Sequence, residues 1–392
     1  MDRLELDALL TSEALSLLDT VTSADDVVHS VTKLRSQGHS PAIVSAVMGQ
    51  VALRRKAADK FGPFAVNMLF SATGLEMATR LSVASHHGGR FVSAGVTSIA
   101  DIGCGIGGDS LAFAGAGLHV TALDSDPVTA AIAAYNLQPF PEVTVVHGGL
   151  EDVPWETVEG LWFDPARRTS NTRHSRPEEW SPSLEVVFQH ARTHPSGIKL
   201  APGMNRGVIP EGMEAQWVSY KGNVVEMVLW SGSLTRPGVT RSALVLNEGR
   251  AAEFTGPADS PDAPVGELQE YVIEPDGAII RARLIGDLAR THDAHMVDST
   301  IAYMTASRPV NSPLAQSFRV LETTPFTQKN LKALVAAAHL GTLEIKKRGV
   351  DIDPAQLRTQ LPLKGSGSGV LIVTRLQGQK TAILAERVTS EV

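Results

Sequence analysis

Cysteine is nearly absent from this chain of 392 residues: Cys104 stands alone. That excludes an intramolecular disulfide and any zinc site built from several thiolates. Long apolar runs are missing too. No stretch approaches the roughly 18 uninterrupted apolar residues of a membrane span, and the opening MDRLELDALL has no basic leader followed by an apolar core. The expectation is a cytoplasmic chain with no membrane partner. Positive charge is not in excess either, because 35 Lys and Arg face 42 Asp and Glu for a formal charge of −7. A surface basic all over is excluded, although a local basic patch still attracts phosphate within a Debye length of about 8–10 Å. No internal repeat of fixed period is present.

What is there is an ordinary globular composition, long enough for two or three domains. Residues 1–88 read as a helical domain: Leu4, Leu6, Leu9 and Leu10 open an apolar pattern, Val27, Val28, Val31 and Leu34 continue it at helical spacing, and Ser40-Pro41 starts a further helix. Across 89–235 short apolar strands alternate with helices, the signature of a parallel sheet wrapped by helices. Strands are expected over 98–102, 119–123, 144–147, 161–163 and 198–201, and helices over 110–114 and 128–136. Asp126-Pro127 and Ser181-Pro182 read as capped helix starts, and Lys221-Gly222 as the turn of a hairpin between 216–220 and 224–230. Residues 236–315 read as a connecting α+β region, with a loop or linker at 249–268, a helix near 278–290 and a strand near 300–305. The last unit, 316–392, reads as helix (328–339), strand (342–346), helix (354–360, capped by Asp353) and two strands (370–376, 380–385). Gly365-Ser366-Gly367-Ser368-Gly369 reads as a flexible loop between them.

The strongest motif runs from Ser98 to Asp109. A strand ends at Ile102, a turn carries Gly103, Gly105, Gly107 and Gly108, and a helix follows. Gly103-x-Gly105-x-x-Gly108 alone also fits a dinucleotide fingerprint, but the acidic neighbours separate the readings. Asp101 at the strand end would repel a pyrophosphate and suits the methionine part of S-adenosylmethionine. Asp124, followed by Ser125, ends the next strand and is placed to accept both ribose hydroxyls. Glu151 and Asp152 follow the third strand, where a carboxylate meets the adenine amine. Each Asp taken alone is equally a helix or turn cap. Acidic positions at the ends of successive strands fall where an open α/β sheet binds ligands. The expected cofactor-binding set is Asp101, Gly103, Gly105, Gly107, Asp109, Asp124, Ser125, Glu151 and Asp152.

Several stretches resemble one family, the bacterial class I methyltransferases with a THUMP-like domain at the C-terminus. They are Leu53-Arg54-Arg55-Lys56-Ala57, Lys60-Phe61-Gly62, Gly74-Leu75-Glu76-x-Ala78-Thr79, the glycine loop, Asp164-Pro165-Ala166-Arg167-Arg168, Leu200-Ala201-Pro202-Gly203 and Leu343-Glu344-Ile345-Lys346-Lys347-Arg348-Gly349. The loop is also similar to that of the trimethylguanosine synthases. The resemblance implies an α/β fold with a Rossmann-like class I methyltransferase sheet, an N-terminal helical domain and a C-terminal α+β THUMP-like module. It also implies S-adenosylmethionine as cofactor.

In enzymes that methylate base amino groups, the position of Asp164 holds Asp, Asn or Ser followed by two prolines and an aromatic ring that stacks on the base. Asp164 and Pro165 match and are the expected catalytic residues, but Ala166 and Arg167 replace the second proline and the ring. The basic run Arg167, Arg168, Arg173, His174 and Arg176 suits phosphate or carboxylate. So do Lys346, Lys347 and Arg348, with Lys332 and Lys364 in the same unit. RNA is the favoured substrate and partner, and THUMP domains proper bind RNA. Alternatives from the sequence are a protein or small-molecule acceptor, and an RNA-binding protein that keeps the methyltransferase fold without activity. His292 and His295, without a cysteine partner, carry no metal expectation, and Cys104 reads as a packing residue.

Overall fold

Side-chain caps set where the first helices begin. Asp2 accepts the Glu5 amide at 2.9 Å while Glu5 accepts the Asp2 amide at 3.1 Å, a reciprocal pair that opens α1 (Arg3–Leu9). Thr11 caps α2 (Ser12–Thr20), and Ser40 caps α4 (Pro41–Phe61), whose proline occupies a first-turn position that needs no N–H. The computed structural model describes residues 1–21, 27–166, 168–169, 172–173, 177–247 and 249–389, with the main chain alone at Val27, Val28, Arg168, Thr169, Thr172, Arg173 and Pro177. The chain divides into two units, Met1–Leu200 with Leu229–Thr235, and Ala201–Val228 with Arg236–Val392.

In the first unit α1, α2 and α3 (Val27–Ser36) pack on α4, followed by α5 (Ala72–Met77) and α6 (Leu81–Ser93). One face of α6 buries Val83, Ala84, His87 and Phe91, a spacing of three or four that turns the same side inward at every turn. The strands β1 (Ser98–Ile102), β2 (His119–Asp124), β3 (Val143–His147), β4 (Gly160–Phe163) and, later, β7 (Ser196–Leu200) form parallel neighbours in the order β7-β4-β1-β2-β3. The reversal beside β1 is the switch point where such sheets hold ligands. Helices α7 (Gly108–Gly115), α8 (Pro127–Leu137) and α9 (Leu184–Ala191) connect the strands. Between β4 and α9 a two-residue pair, β5 (Arg168–Thr169) and β6 (Thr172–Arg173), opposes Arg168 to Arg173. The core is aromatic: the Trp162 ring lies 4.5 Å from His87, 5.6 Å from Phe113 and 5.9 Å from Trp230, and all four are buried. Full burial of a large apolar side chain contributes about 1.5–3 kcal/mol, so this cluster anchors β4.

In the second unit β8 (Glu214–Tyr220) turns into β9 (Asn223–Trp230), whose Leu229 and Trp230 belong to the first unit, through Lys221 and Gly222, both at positive φ (49° and 77°), the tight hairpin read from the sequence. β10 (Arg241–Asn247) runs parallel to β8 and antiparallel to β11 (Arg250–Gly256). Then follow β12 (Tyr271–Pro275), β13 (His295–Asp298), β14 (Ile301–Ala306), β15 (Ala315–Pro325), β16 (Leu340–Lys347), β17 (Gly367–Leu376) and β18 (Gln379–Arg387). They form one sheet in the order β13-β14-β12-β15-β18-β17-β16. Helices α12 (Gln328–Ala337) and α13 (Pro354–Thr359) lie with the last four, and Leu331, Leu334, Leu357, Leu371 and Leu384 share one buried cluster. The α/β fold, the N-terminal helices and the C-terminal α+β module are all present.

Four local readings are corrected. Residues 249–268 are not all loop, because β11 lies there. It is an edge strand whose Ala251 and Ala252 carry little β-propensity and whose side chains alternate toward solvent. The expected helix near 278–290 is two helices, α10 (Gly277–Arg281) and α11 (Ile285–Thr291), broken at Arg283 with φ 59°; both bury apolar residues, so the pattern runs across the break. Ser181-Pro182 does not start α9: Ser181 bridges Ala166 through two main-chain bonds, and Ser183 supplies the cap. The glycines near 365 are close-approach positions rather than a loose linker. A Cβ on Gly365 would meet the His339 carbonyl at 1.7 Å, and β17 already begins at Gly367.

Candidate active site

Parallel pairing brings the chemistry to one edge. β1, β2 and β4 end at Ile102, Asp124 and Phe163. The residues just past those ends therefore converge. Gly103 and Cys104 both donate main-chain N–H to the Leu123 carbonyl at 2.9 Å, folding the loop across the end of β2. Gly103 adopts φ 83°, and a Cβ there would meet the Asp164 carbonyl oxygen at 2.6 Å. Only glycine fits both the left-handed backbone and the close approach. Gly105 (φ 58°) donates to the Asp124 carboxylate at 3.0 Å, and Gly107 (φ 85°) caps α7.

Asp101 is fully withdrawn from solvent, at 1% exposure. Its Oδ2 accepts the Ser110 hydroxyl at 2.5 Å, while Oδ1 has no hydrogen-bond partner among the described residues. Burial, with the nearby Asp109 charge, pushes its pKa well above the usual carboxylate range. A buried acceptor left unsatisfied costs about 1–3 kcal/mol, and a donor arriving at Oδ1 would recover it. Asp124 accepts from the Gly105 amide and from the Asp126 amide at 2.9 Å; burial nevertheless raises its pKa. Ser125 is exposed, and its carbonyl accepts from His147 Nε2 at 3.2 Å. Glu151 and Asp152 are exposed on a short helical turn after β3, where Asp152 accepts the Gly149 amide at 3.0 Å. The Gly148 amide bonds the Asp124 carbonyl at 3.0 Å, so the β3 turn adjoins the end of β2.

Asp109 opens the second half of the site. It is buried, accepts the Thr79 hydroxyl at 2.8 Å, contacts His87 Nδ1 at 3.1 Å and lies 3.5 Å from Lys199 Nζ. Burial opposes its ionisation, but Lys199, His87 and Thr79 together outweigh burial and hold its pKa down to about 2. Lys199 also stands 2.6 Å from Asp164 Oδ2 and donates to Thr79 Oγ1 at 2.9 Å. Asp164 is partly exposed and Pro165 buried, and the Asp164 amide bonds the Ile102 carbonyl at 3.0 Å. Asp101, the glycine loop, Asp109, Asp124 and Asp164 thus share one edge. Arg167, His174 and Arg176 lie outside the described residues, as do the side chains of Arg168 and Arg173.

Lys346, Lys347 and Arg348 lie in the second unit and are not a bare basic patch. Lys346 stands 2.6 Å from Glu274 and 3.7 Å from Glu344. Arg348 lies 3.6 Å from Glu274 and 4.9 Å above the Tyr303 ring, and Lys347 donates to the Ile352 carbonyl. The sequence reading missed four residues of the first-unit site: Thr79, His87, Asn136 and Lys199. Lys199 had a visible signal, a lone charge between Ile198 and Leu200 in an otherwise apolar strand. Buried Asn136 joins the Leu69 amide (2.7 Å) and carbonyl (3.0 Å) to the Ile106 carbonyl (2.9 Å), fastening the N-terminal segment to the glycine loop. Cys104 is buried and its thiol pushed well up by that burial, in keeping with a packing role.

The sequence matches the THUMP domain-like family over residues 315–387 and a domain of unknown function over residues 2–57. It is 32% identical over 335 residues to an uncharacterised S-adenosylmethionine-dependent methyltransferase of Mycobacterium tuberculosis, found in two strains, covering 83% of this chain and 90% of the relative. A crystal structure assigned as a methyltransferase of Porphyromonas gingivalis superposes with a TM-score of 0.78 at 18% identity, over 99% of this chain and 100% of that one, and so shares the fold. The chain is an enzyme whose cofactor is S-adenosylmethionine, and it belongs to the class I S-adenosylmethionine-dependent methyltransferases that carry a THUMP-like C-terminal domain.

Proposed function

We propose that this enzyme methylates RNA, on a base or its exocyclic amine, with Asp164 at the acceptor. The observation that carries the site assignment is Asp101 Oδ1, a buried carboxylate oxygen without a partner among the described residues, beside a loop that only glycines can form. It suits the α-ammonium group of S-adenosylmethionine, whose bound form supplies an electrophilic methyl. Asp101, Gly103, Gly105, Gly107 and Asp109 would hold the methionine part. Asp124 and Ser125 would take the ribose, and Glu151 and Asp152 the adenine amine. Asp164 and Pro165 would receive the acceptor: the carboxylate orients it and takes its proton, and the proline stiffens the turn. Alignment of the reacting atoms supplies much of such a rate enhancement.

Support for RNA comes from the THUMP-like match and from the arginines after β4. Arg167, Arg168 and Arg173 would meet phosphate near the acceptor, and Lys346, Lys347 and Arg348 would add contacts in the second unit. Tritiated methyl transfer from S-adenosylmethionine to total RNA of cells lacking the protein, beside total protein of the same cells, tests the reading. Label in RNA alone supports it. Label in protein alone, or in a small-molecule fraction, overturns RNA as the substrate.

A further inference from the structure

The geometry points to Lys199 as a positioning residue of the methyl-transfer site: its ammonium ties Asp109 on the cofactor side to Asp164 on the acceptor side. This rests on the assignment of Asp164 to the acceptor given above. β4 and β7 are adjacent parallel strands with Phe163 opposite Ile198, so the next positions, Asp164 and Lys199, meet where both strands end. Among the described residues, three groups stand around the ammonium: Asp164 Oδ2 at 2.6 Å, Thr79 Oγ1 at 2.9 Å and Asp109 Oδ2 at 3.5 Å. Its side chain is 12% exposed against 29% for Asp164, so the screening that weakens surface ion pairs is much reduced.

The three partners come from three separate segments. Thr79 precedes α6, Asp109 lies in the first turn of α7, and Asp164 follows β4. Thr79 relays further, since it donates to Asp109 while accepting from Lys199. The loop before Thr79 is itself clamped: Lys60 Nζ donates to the carbonyls of Leu75 (2.8 Å), Glu76 (2.7 Å) and Ala78 (2.8 Å). Lys199 therefore fixes the spacing between the loop that cradles the cofactor and the carboxylate that receives the acceptor. An error of about 1 Å in that spacing costs about 10²-fold in rate.

Two readouts test the assignment in the full-length protein. The first is steady-state methyl transfer to RNA from cells lacking the protein. Lys199→Met should lower kcat by about 10-fold or more at pH 8, with cofactor affinity within about threefold of the parent, and Lys199→Arg should recover part of the loss. The second needs no acceptor: calorimetric S-adenosylmethionine affinity from pH 8 to pH 5. The parent keeps only the slope that Asp101 and Asp124, both raised by burial, give it. Lys199→Met should weaken more steeply than the parent as the pH falls, because Asp109, which also faces His87 and Asp101, loses the cation that opposes its burial and takes up a proton. Thermal melts at pH 8 establish that each variant is folded, and Lys199→Gln replaces Lys199→Met if the latter is not. A parent-like kcat together with a parent-like affinity profile in a folded Lys199→Met overturns the proposal. If the parent labels no RNA, the RNA reading fails alone, and the affinity profile still decides the role of Lys199.

Discussion

Lys199 Nζ lies 2.6 Å from Asp164 Oδ2, joining the ends of two neighbouring parallel strands. This pair lies at the proposed acceptor end of the site, and Asp101 Oδ1 at the proposed cofactor end.

Asp124→Ala should weaken S-adenosylmethionine binding by tenfold or more. Its carboxylate is proposed to accept two ribose hydroxyls, and hydrogen bonds to a charged acceptor are worth about 1.5–3 kcal/mol each. It also holds the Gly105 and Asp126 amides, so the loop loosens as well. Calorimetry on the folded variant checks this, and unchanged affinity removes Asp124 from the ribose.

Asp109 gives the protein an acid limb of predictable sign. Its folded pKa of about 2 lies below the ordinary aspartate value, so the stability it contributes is present above about pH 4 and is lost as the pH falls toward 2. The shift corresponds to about 2 kcal/mol. Asp109→Asn should therefore be less stable than the parent at pH 7, with the difference shrinking below pH 4. Asp101 acts the other way. Its raised pKa makes the native state less stable as the pH climbs above the ordinary carboxylate range, and Asp101→Asn should remove that slope. Urea unfolding at a series of pH values reads both, and an Asp109→Asn curve parallel to the parent at every pH contradicts the assignment.

How much of this was legible in the sequence follows from which forces are local. The glycine loop was readable because three left-handed positions and a close approach to Asp164 demand glycine at fixed spacing. The hairpin at Lys221-Gly222 was readable because its turn chemistry is local. β11 was not, since an exposed edge strand rich in alanine carries no burial signal. Lys199, Thr79 and His87 were out of reach as a set because sheet register and helix packing bring them together from 120 positions apart in the case of Lys199 and Thr79. The triplet at 346–348 was legible only in part. Its charge was visible, but Glu274, which neutralises part of it, is 72 positions away from Lys346.

That neutralisation yields a prediction for RNA affinity. Glu274→Gln should release Lys346 and Arg348 from their carboxylate, tightening RNA binding at low salt and steepening the salt dependence by about 0.7–0.9 for each phosphate newly contacted. Removing all three cations, Lys346, Lys347 and Arg348, should do the opposite and leave S-adenosylmethionine affinity unchanged. Filter binding across a salt series checks both. Weaker RNA binding in a folded Glu274→Gln variant contradicts an RNA role for this face.

The central claim is that Asp164 receives a nucleotide beside the cofactor methyl. Modified nucleosides from cells without the protein should lack one methylated nucleoside. The parent gene should restore it, Asp164→Ala should lower its rate of formation by about 10²-fold or more, and the purified variant should bind S-adenosylmethionine with parental affinity. Asp164→Asn separates the roles: if the carboxylate takes the acceptor proton, Asn is as poor as Ala, whereas if it only orients the acceptor, Asn keeps much of the activity. The decisive measurement is nucleoside mass spectrometry on the complemented cells. The account predicts full restoration by the parent and almost none by Asp164→Ala; equal restoration by both would show that Asp164 is a turn former and that methyl transfer occurs elsewhere.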